Sequence, residues 1–390
     1  MNHMASIRTF NKISKDGLKL FDQVGFSYGE SVESPDALMV RSADLHTYDF
    51  PNSVKAIGRA GAGTNNIPVD ECTRRGVVVF NAPGANANAV KELVLAGLLM
   101  GSRHLVGAIS HSLTYRGKGL DVPAIVEKDK AKFAGFEVRG KRLGVVGLGA
   151  IGMMVANDAV SLGLEVSGYD PFISVRSAWS LSRLVKPAQS LAKLFSESDF
   201  VTLHMPLTPD TVELVNRKSL AQFKKGAILL NFARSEIVND DDVMESLNAN
   251  HLGAYITDFP TEALLNHPKV ICIPHLGAST VEAENNCAIM VAQQLIDFLQ
   301  DGNIANSVNY PNCAIERSGD VRLILTNDNV PNMVGQISAA IAADGLNIVE
   351  MVNKSRGDLA YNIVDVVGTP SPNLIDRILS ISGVTMARFI

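Results

Sequence analysis

One stretch constrains the fold more than any other: KRLGVVGLGAIGMMVANDAVSLGLEVSGYDPF, residues 141–172. Leu143–Val146 is a short apolar strand that runs directly into Gly147, Gly149 and Gly152, spaced G-x-G-x-x-G. A helical pattern starts at Ala150, and a second strand ends at Asp170, 18 residues past Gly152. Gly147 allows the tight turn, Gly149 leaves room for a pyrophosphate, and Gly152 lets helix and strand approach closely. The phosphates then face unpaired N–H groups at the positive end of a helix. Asp170 can accept both hydroxyls of an adenosine ribose and would repel a 2′-phosphate. A strand–glycine turn–helix–strand–acid unit of this kind implies an α/β sheet that binds a dinucleotide, NAD rather than NADP.

The surrounding text repeats the alternation. Ala37–Val40, Lys55–Arg59, Val77–Asn81, Phe200–His204, Ala227–Asn231, Ala254–Thr257 and Val270–Ile273 are short apolar strands, most of them separated by helical patterns. Val90–Arg103 is a long helix, apolar around most of its circumference and therefore expected to be buried. The order predicts parallel sheets with helices on both faces. Gly117–Gly140 is polar and irregular, and is expected to be a connection. Asn306–Gly319, with Pro311 and several Asn and Ser, has the composition of a linker. The tail changes architecture: strand Val321–Leu325, helix Met333–Ile341 stopped at Gly345, strands Leu346–Val352 and Leu359–Val367, helix Leu374–Leu379, strand Val384–Ile390. That is the split β-α-β-β-α-β motif, expected to stand as a small separate domain.

Composition closes off other classes. The 390 residues are 46% hydrophobic and 19% charged with net charge −5, which offers no basic footprint for nucleic acid or acidic lipid. The longest uncharged apolar run, Leu93–Met100, is too short to span a membrane. The opening MNHMASIRTF lacks the pattern of a secretion signal, and its first residues have the look of a cloning remnant. Cys72, Cys272, Cys287 and Cys313 form no C-x-x-C pair, so a reduced, cytoplasmic protein is expected, with no metal site.

Three polar residues follow predicted strands, where ligands bind in such folds: Arg234 in NFARSEIV, Glu262 in DFPTEA and His275 in PHLGAST. Oxidising a secondary alcohol needs a base for the hydroxyl proton, which an imidazole supplies. A carboxylate beside it holds the ring, and a guanidinium clamps a substrate carboxylate.

With VVGLGAIG and Asp170, and with RAGAGTNNI and NAPGANANAVKELVLAG, these motifs resemble the D-isomer-specific 2-hydroxyacid dehydrogenase family over most of residues 1–310. The resemblance implies an NAD-dependent enzyme in which Arg234 binds substrate, His275 is the acid/base and Glu262 pairs with His275. It implies a Rossmann-type cofactor lobe, 93–277, inserted into a flavodoxin-like substrate lobe, 1–92 with 278–310, the substrate lying between them. A linker at 311–319 and an ACT-like regulatory domain at 320–390 complete the chain. Cofactor contacts are implied at Gly147, Gly149, Ala150, Ile151, Gly152, Asp170, His204, Pro206, Ala233, Val90 and Asp258. Asp258 departs from the family text by one position, and period-two alternation turns it to the other face unless the strand ends early. Arg41 and Ser42 suit a substrate phosphate. Ala62 and Gly63 form a backbone anion nest, and Asn86 is a further substrate contact. The expected reaction is oxidation of 3-phospho-D-glycerate to 3-phosphohydroxypyruvate, the entry to serine synthesis, by a homodimer or homotetramer. L-serine is the implied effector, held by Asn327, Asn329 and Asn347. Two alternatives stand beside this: reduction of glyoxylate, hydroxypyruvate or another 2-oxo acid with Arg41 idle, or an NAD-sensing, co-repressor-like binding protein.

Overall fold

Short runs of buried aliphatic residues build every sheet of the chain, seen here in a computed structural model that describes residues 4–390. The reading of the opening residues as a cloning remnant falls outside the described residues. The chain divides into two compact units, one running up to Asn86 and resuming at Thr280–Ile390, the other Ala87–Ser279.

The first unit holds a five-stranded parallel sheet: β1 (Ser6–Thr9), β2 (Ser27–Gly29), β3 (Ala37–Val40), β4 (Ala56–Arg59) and β5 (Val78–Phe80), in the order β2-β1-β3-β4-β5. This is the flavodoxin-like order. β1 and β2 were not anticipated, because each is brief and β1 carries a single large aliphatic, Ile7. The helix Val281–Asp301 covers one face and buries Val291, Leu295 and Phe298. Thr280 caps its start by accepting from the Ala283 amide, and Gly302 ends it in the left-handed region at φ 68°.

The second unit holds seven parallel strands: β6 (Arg142–Val146), β7 (Glu165–Tyr169), β8 (Lys186–Pro187), β9 (Phe200–Leu203), β10 (Ile228–Asn231), β11 (Ala254–Thr257) and β12 (Val270–Cys272). Their order, β12-β11-β10-β9-β6-β7-β8, is that of a dinucleotide-binding sheet with its switch point between β6 and β9. The helix Ala87–Arg103 lies on it through Val94 and Leu98, both wholly buried. Gly97 and Gly101 bring its backbone onto Phe232 and Ile256. The expectation of an irregular Gly117–Gly140 is corrected. That stretch contains the helix Val122–Asp129, with Pro123 in its first turn, where a missing N–H costs nothing. Among the described residues no single helix is long and apolar enough to cross a membrane.

The tail belongs to the first unit. Its strands β13 (Val321–Asp328), β14 (Asn347–Arg356), β15 (Leu359–Val367) and β16 (Val384–Phe389) form an antiparallel sheet in the order β14-β15-β13-β16. One face carries the helices Met333–Ala343 and Leu374–Leu379 over Leu323, Leu325 and Val364. The other face does not stand free: Ile324, Tyr361 and Ile363 join one apolar core with Phe298, Leu299, Ile304 and Tyr310. Polar ties reinforce it. Tyr361 Oη donates to the Gly302 carbonyl at 2.7 Å, and Arg322 and Asp365, both fully buried, form a bidentate pair at 2.7 and 2.8 Å. Arg322 also donates to the Asp301 carbonyl at 2.9 Å. The intervening segment is equally engaged. Asn309 accepts from the Val79 amide and donates to the Val77 carbonyl, each at 2.9 Å, extending the edge of β5. The tail thus has its own sheet but shares a core with the lobe before it.

Candidate active site

The turn after β6 lies at the switch point of the second sheet, and its three glycines are demanded by different things. Gly147 has φ +89°, and a Cβ there would collide with the His204 carbonyl. A Cβ on Gly152 would collide with the Gly147 carbonyl. At Gly149 the backbone is ordinary and a Cβ would meet nothing within 4 Å. The protein does not need a glycine there; the open space it faces does. Behind it the helix Ala150–Ser161 begins without a side-chain cap, leaving the amides of Ala150, Ile151 and Gly152 unsatisfied by any capping group. Asp170 accepts from the Leu148 amide at 2.8 Å and the Phe172 amide at 2.9 Å. Each oxygen keeps a lone pair for a ribose hydroxyl. These features fit a dinucleotide. Gly149→Ala is therefore expected to raise KM for NAD about ten-fold, ~1.4 kcal/mol. It should leave unfolding free energy within about 0.5 kcal/mol. Gly152→Ala should instead destabilise the fold; thermal melts beside NAD titrations separate the two.

His204 and Pro206 follow β9 at the same switch point. The His204 ring meets Thr202 Oγ1 at 2.9 Å, and burial pushes its pKa down to about 3, so it is neutral at ordinary pH.

Reacting groups stand at the ends of the next three strands. β10 closes on Asn231, a wholly buried amide that donates to the Arg234 carbonyl at 2.9 Å and accepts from the Ala233 amide at 3.1 Å. It shapes the turn that presents the exposed Arg234 guanidinium. Asn231 was not singled out from sequence, although a polar residue ending the buried run Ile228–Asn231 was the available signal. His275 lies past β12, exposed, its ring 5.0 Å from that of Phe259.

β11 ends at Thr257, so alternation no longer applies to the next residue. Asp258 is 1% exposed and its Oδ2 accepts from the Gly277 amide at 3.1 Å, while Oδ1 has no partner among the described residues. Val90 lies beside the same Gly277. Burial raises the Asp258 carboxyl above its ordinary pKa; the Gly277 amide and the charges of His275 and Arg234 pull against that.

The expected Glu262–His275 pair is not formed. Among the described residues no ion pair joins them. Glu262 opens the short helix Glu262–Leu265, and its carboxylate accepts from Asn266 Nδ2, four residues on, at 3.1 Å. A partner one helical turn away is the local competitor that won.

In the first unit Arg41 and Ser42 follow β3. The Ser42 amide donates to Asn11 Oδ1 at 3.1 Å, and an Arg41 Nη donates to Glu284 Oε1 at 2.6 Å. Arg59, not anticipated, reaches beneath them and donates to the Arg41 carbonyl at 3.2 Å. Its position directly before Ala60-Gly61-Ala62-Gly63 was the legible clue. Asn81 holds the Ala62 carbonyl at 2.5 Å, and Asn86 lies half-buried just before the break between units.

In the tail, a cavity of about 220 Å³ is lined by Asn327, Asn329, Asn332 and Asn353 among others. Asn347 does not line it; it pairs with Val367 at the start of β14. Asn327 is already committed, donating to the Asp328 carbonyl at 2.6 Å and accepting from Asn362 at 2.7 Å. Asn332 takes φ +68°, the conformation a glycine would otherwise supply.

Residues 104–277 match the NAD-binding domain of the D-isomer specific 2-hydroxyacid dehydrogenases. The chain is 33% identical over 383 residues to a D-3-phosphoglycerate dehydrogenase of Methanocaldococcus jannaschii, covering 93% of this chain and 70% of that one. It is also 33% identical to one of Haemophilus influenzae, over 85% of this chain and 80% of the relative. An NAD+-bound 3-phosphoglycerate dehydrogenase structure from Entamoeba histolytica superposes with TM-score 0.61 at 24% identity, covering 78% of this chain and 99% of that one, a likeness of fold. The glycine turn, the strand-end Arg and His, and these relatives agree: the chain belongs to the D-isomer-specific 2-hydroxyacid dehydrogenase family.

Proposed function

We propose that this chain oxidises 3-phospho-D-glycerate to 3-phosphohydroxypyruvate with NAD, the first step toward serine. The observation that carries the substrate is Arg41 followed by Ser42 at the end of β3, a guanidinium and hydroxyl fitted to a phosphate. The relatives bearing the same enzyme name support it. Gly147–Gly152, Asp170, His204, Pro206, Ala233, Asp258 and Val90 would hold NAD, which when bound accepts the hydride. The chain's own groups do the rest. Arg234 clamps the substrate carboxylate through parallel hydrogen bonds. On the first unit, the Ala62–Gly63 backbone and Asn86 are assigned to substrate. His275 takes the C2 hydroxyl proton on a ring nitrogen. Glu262 turns from Asn266 to the imidazolium so formed; its present bond is exposed and inexpensive to break. We assign residues 1–92 with 278–310 to substrate, 93–277 to cofactor, 311–319 to a linker and 320–390 to regulation.

A spectrophotometric panel of 2-hydroxy and 2-oxo acids with both nicotinamides tests this reading. Arg41→Ala is expected to raise KM for the phosphorylated substrate about ten- to a hundred-fold, the cost of a charged hydrogen bond, and much less for D-glycerate. Asp170→Ala should erode the preference for NAD over NADP; undiminished discrimination would remove it from the ribose site. A second reading, reduction of an unphosphorylated 2-oxo acid, is favoured by one observation: Arg41 is already occupied by Glu284.

The amide-lined cavity of the tail suits a zwitterion, since amides both donate and accept, and L-serine is the proposed effector. A cytoplasmic homodimer or homotetramer is the proposed state. Exposed Leu105, Val106, Ile109 and Leu113 supply apolar surface for such contacts.

A further inference from the structure

Resting on the reading that Arg41 binds the substrate's phosphate, we infer that Glu284 is a specificity-determining residue, an internal carboxylate that occupies Arg41 and must be displaced by that phosphate. An Arg41 Nη lies 2.6 Å from Glu284 Oε1, and both side chains are close to two-fifths exposed, so an incoming ligand can reach the pair. Glu284 sits in the first turn of the helix Val281–Asp301. There an acidic side chain offsets the positive helix end that would otherwise favour an anion. The turn that carries Arg41 is itself held in place. Arg59 donates to the Arg41 carbonyl at 3.2 Å, and Asn66 Nδ2 donates to the Ala43 carbonyl at 2.7 Å, fixing the turn that carries Arg41. The buried Cys287 thiol, one turn beyond Glu284, reports the same cluster. Burial raises its pKa, Arg59 and Arg41 lower it, and Glu284 raises it again.

A carboxylate fixed on the cation of an anion site acts in two ways. It competes for the guanidinium's donors, and it repels a dianion once that dianion has arrived. An unphosphorylated substrate meets neither penalty. Glu284 therefore sets the margin by which the site prefers a phosphorylated hydroxy acid. The pair is exposed, so the lock is weak enough to open at ordinary substrate concentrations.

The test compares wild type, Glu284→Gln, Arg41→Ala and the double variant, with KM measured for 3-phospho-D-glycerate and D-glycerate. Calorimetric binding of inorganic phosphate serves as a readout independent of turnover. Glu284→Gln keeps the size and hydrogen-bonding capacity of the side chain and removes its charge. The ratio of KM for D-glycerate to KM for 3-phospho-D-glycerate should rise about three- to ten-fold, the scale of one exposed ion pair plus a like-charge repulsion. Phosphate affinity should rise with it, and most of both gains should vanish in the Arg41→Ala background. A ratio that stays constant or falls would overturn the inference, since Glu284 would then be neutral or would orient Arg41 productively. An Arg41→Ala variant that weakens both substrates equally would instead overturn the phosphate reading itself, whatever Glu284→Gln does.

Discussion

Replacing His275 with alanine is expected to lower kcat by about 10²–10⁴-fold, the usual contribution of a positioned general acid/base. The reason lies in the proton. In the proposed reaction the hydroxyl loses its proton as hydride leaves C2, and the group proposed to take it is the His275 imidazole past the end of β12, with Arg234 past β10 and Asp258 past β11. The loss should be chemical rather than structural, because the His275 side chain is exposed and its ring lies 5.0 Å from that of Phe259. Melting temperature and NADH binding, followed by fluorescence, should stay close to wild type while turnover collapses. Near-normal turnover would refute the role.

Arg322→Met is expected to cost about 3–5 kcal/mol of stability, the penalty for stripping one partner from a buried ion pair. Arg322 and Asp365 have no exposed side-chain surface, and Arg322 also donates to the carbonyls of Asp301 and Ile315. The variant leaves the Asp365 carboxylate in an apolar setting with only the Ser318 bonds at 2.8 and 3.2 Å. The pair also fixes a pH signature. Burial pushes the Asp365 carboxyl up, but the hydrogen bonds from Arg322 and Ser318 outweigh it, and its pKa lies below the ordinary 3.8. A depressed folded-state pKa means that the unfolded chain binds the proton more readily. This contribution is complete above the unfolded value and fades as pH falls through the folded one. Urea titrations at pH 7 and near pH 3 should show a large gap between wild type and Arg322→Met at neutrality that narrows in acid. Arg322→Met/Asp365→Leu should recover much of the loss, because a pair replaced by apolar residues leaves no orphaned charge. A single variant as stable as wild type would show that the tail does not depend on the pair.

Where expectation and structure part, the causes are local contacts that leave no mark in the text and, for the tail, packing at a distance. The helix Val122–Asp129 hides in a polar stretch because its Val122, Ile125 and Val126 are too few to mark a stripe. Alternation could not orient Asp258 because β11 ends one residue before it. Glu262 looked like the partner of His275 because its neighbour Asn266 carries no catalytic meaning in a linear text. The tail looked separable because its β-α-β-β-α-β pattern is complete in itself, and nothing local announces that Ile324, Tyr361 and Ile363 face Phe298 and Ile304.

Local chemistry was enough for the glycine turn, the acid at Asp170, the strand-end positions of Arg234 and His275, and most strands of the two parallel sheets. Backbone freedom, short-range hydrogen bonding and strand periodicity are properties of neighbouring residues, and they can be read in order. What Arg41 holds at rest and how the tail is anchored were decided only by the folded chain. Each depends on groups tens to hundreds of residues apart, such as Arg41 with Glu284 and Gly302 with Tyr361, whose meeting is a consequence of packing and not of spacing.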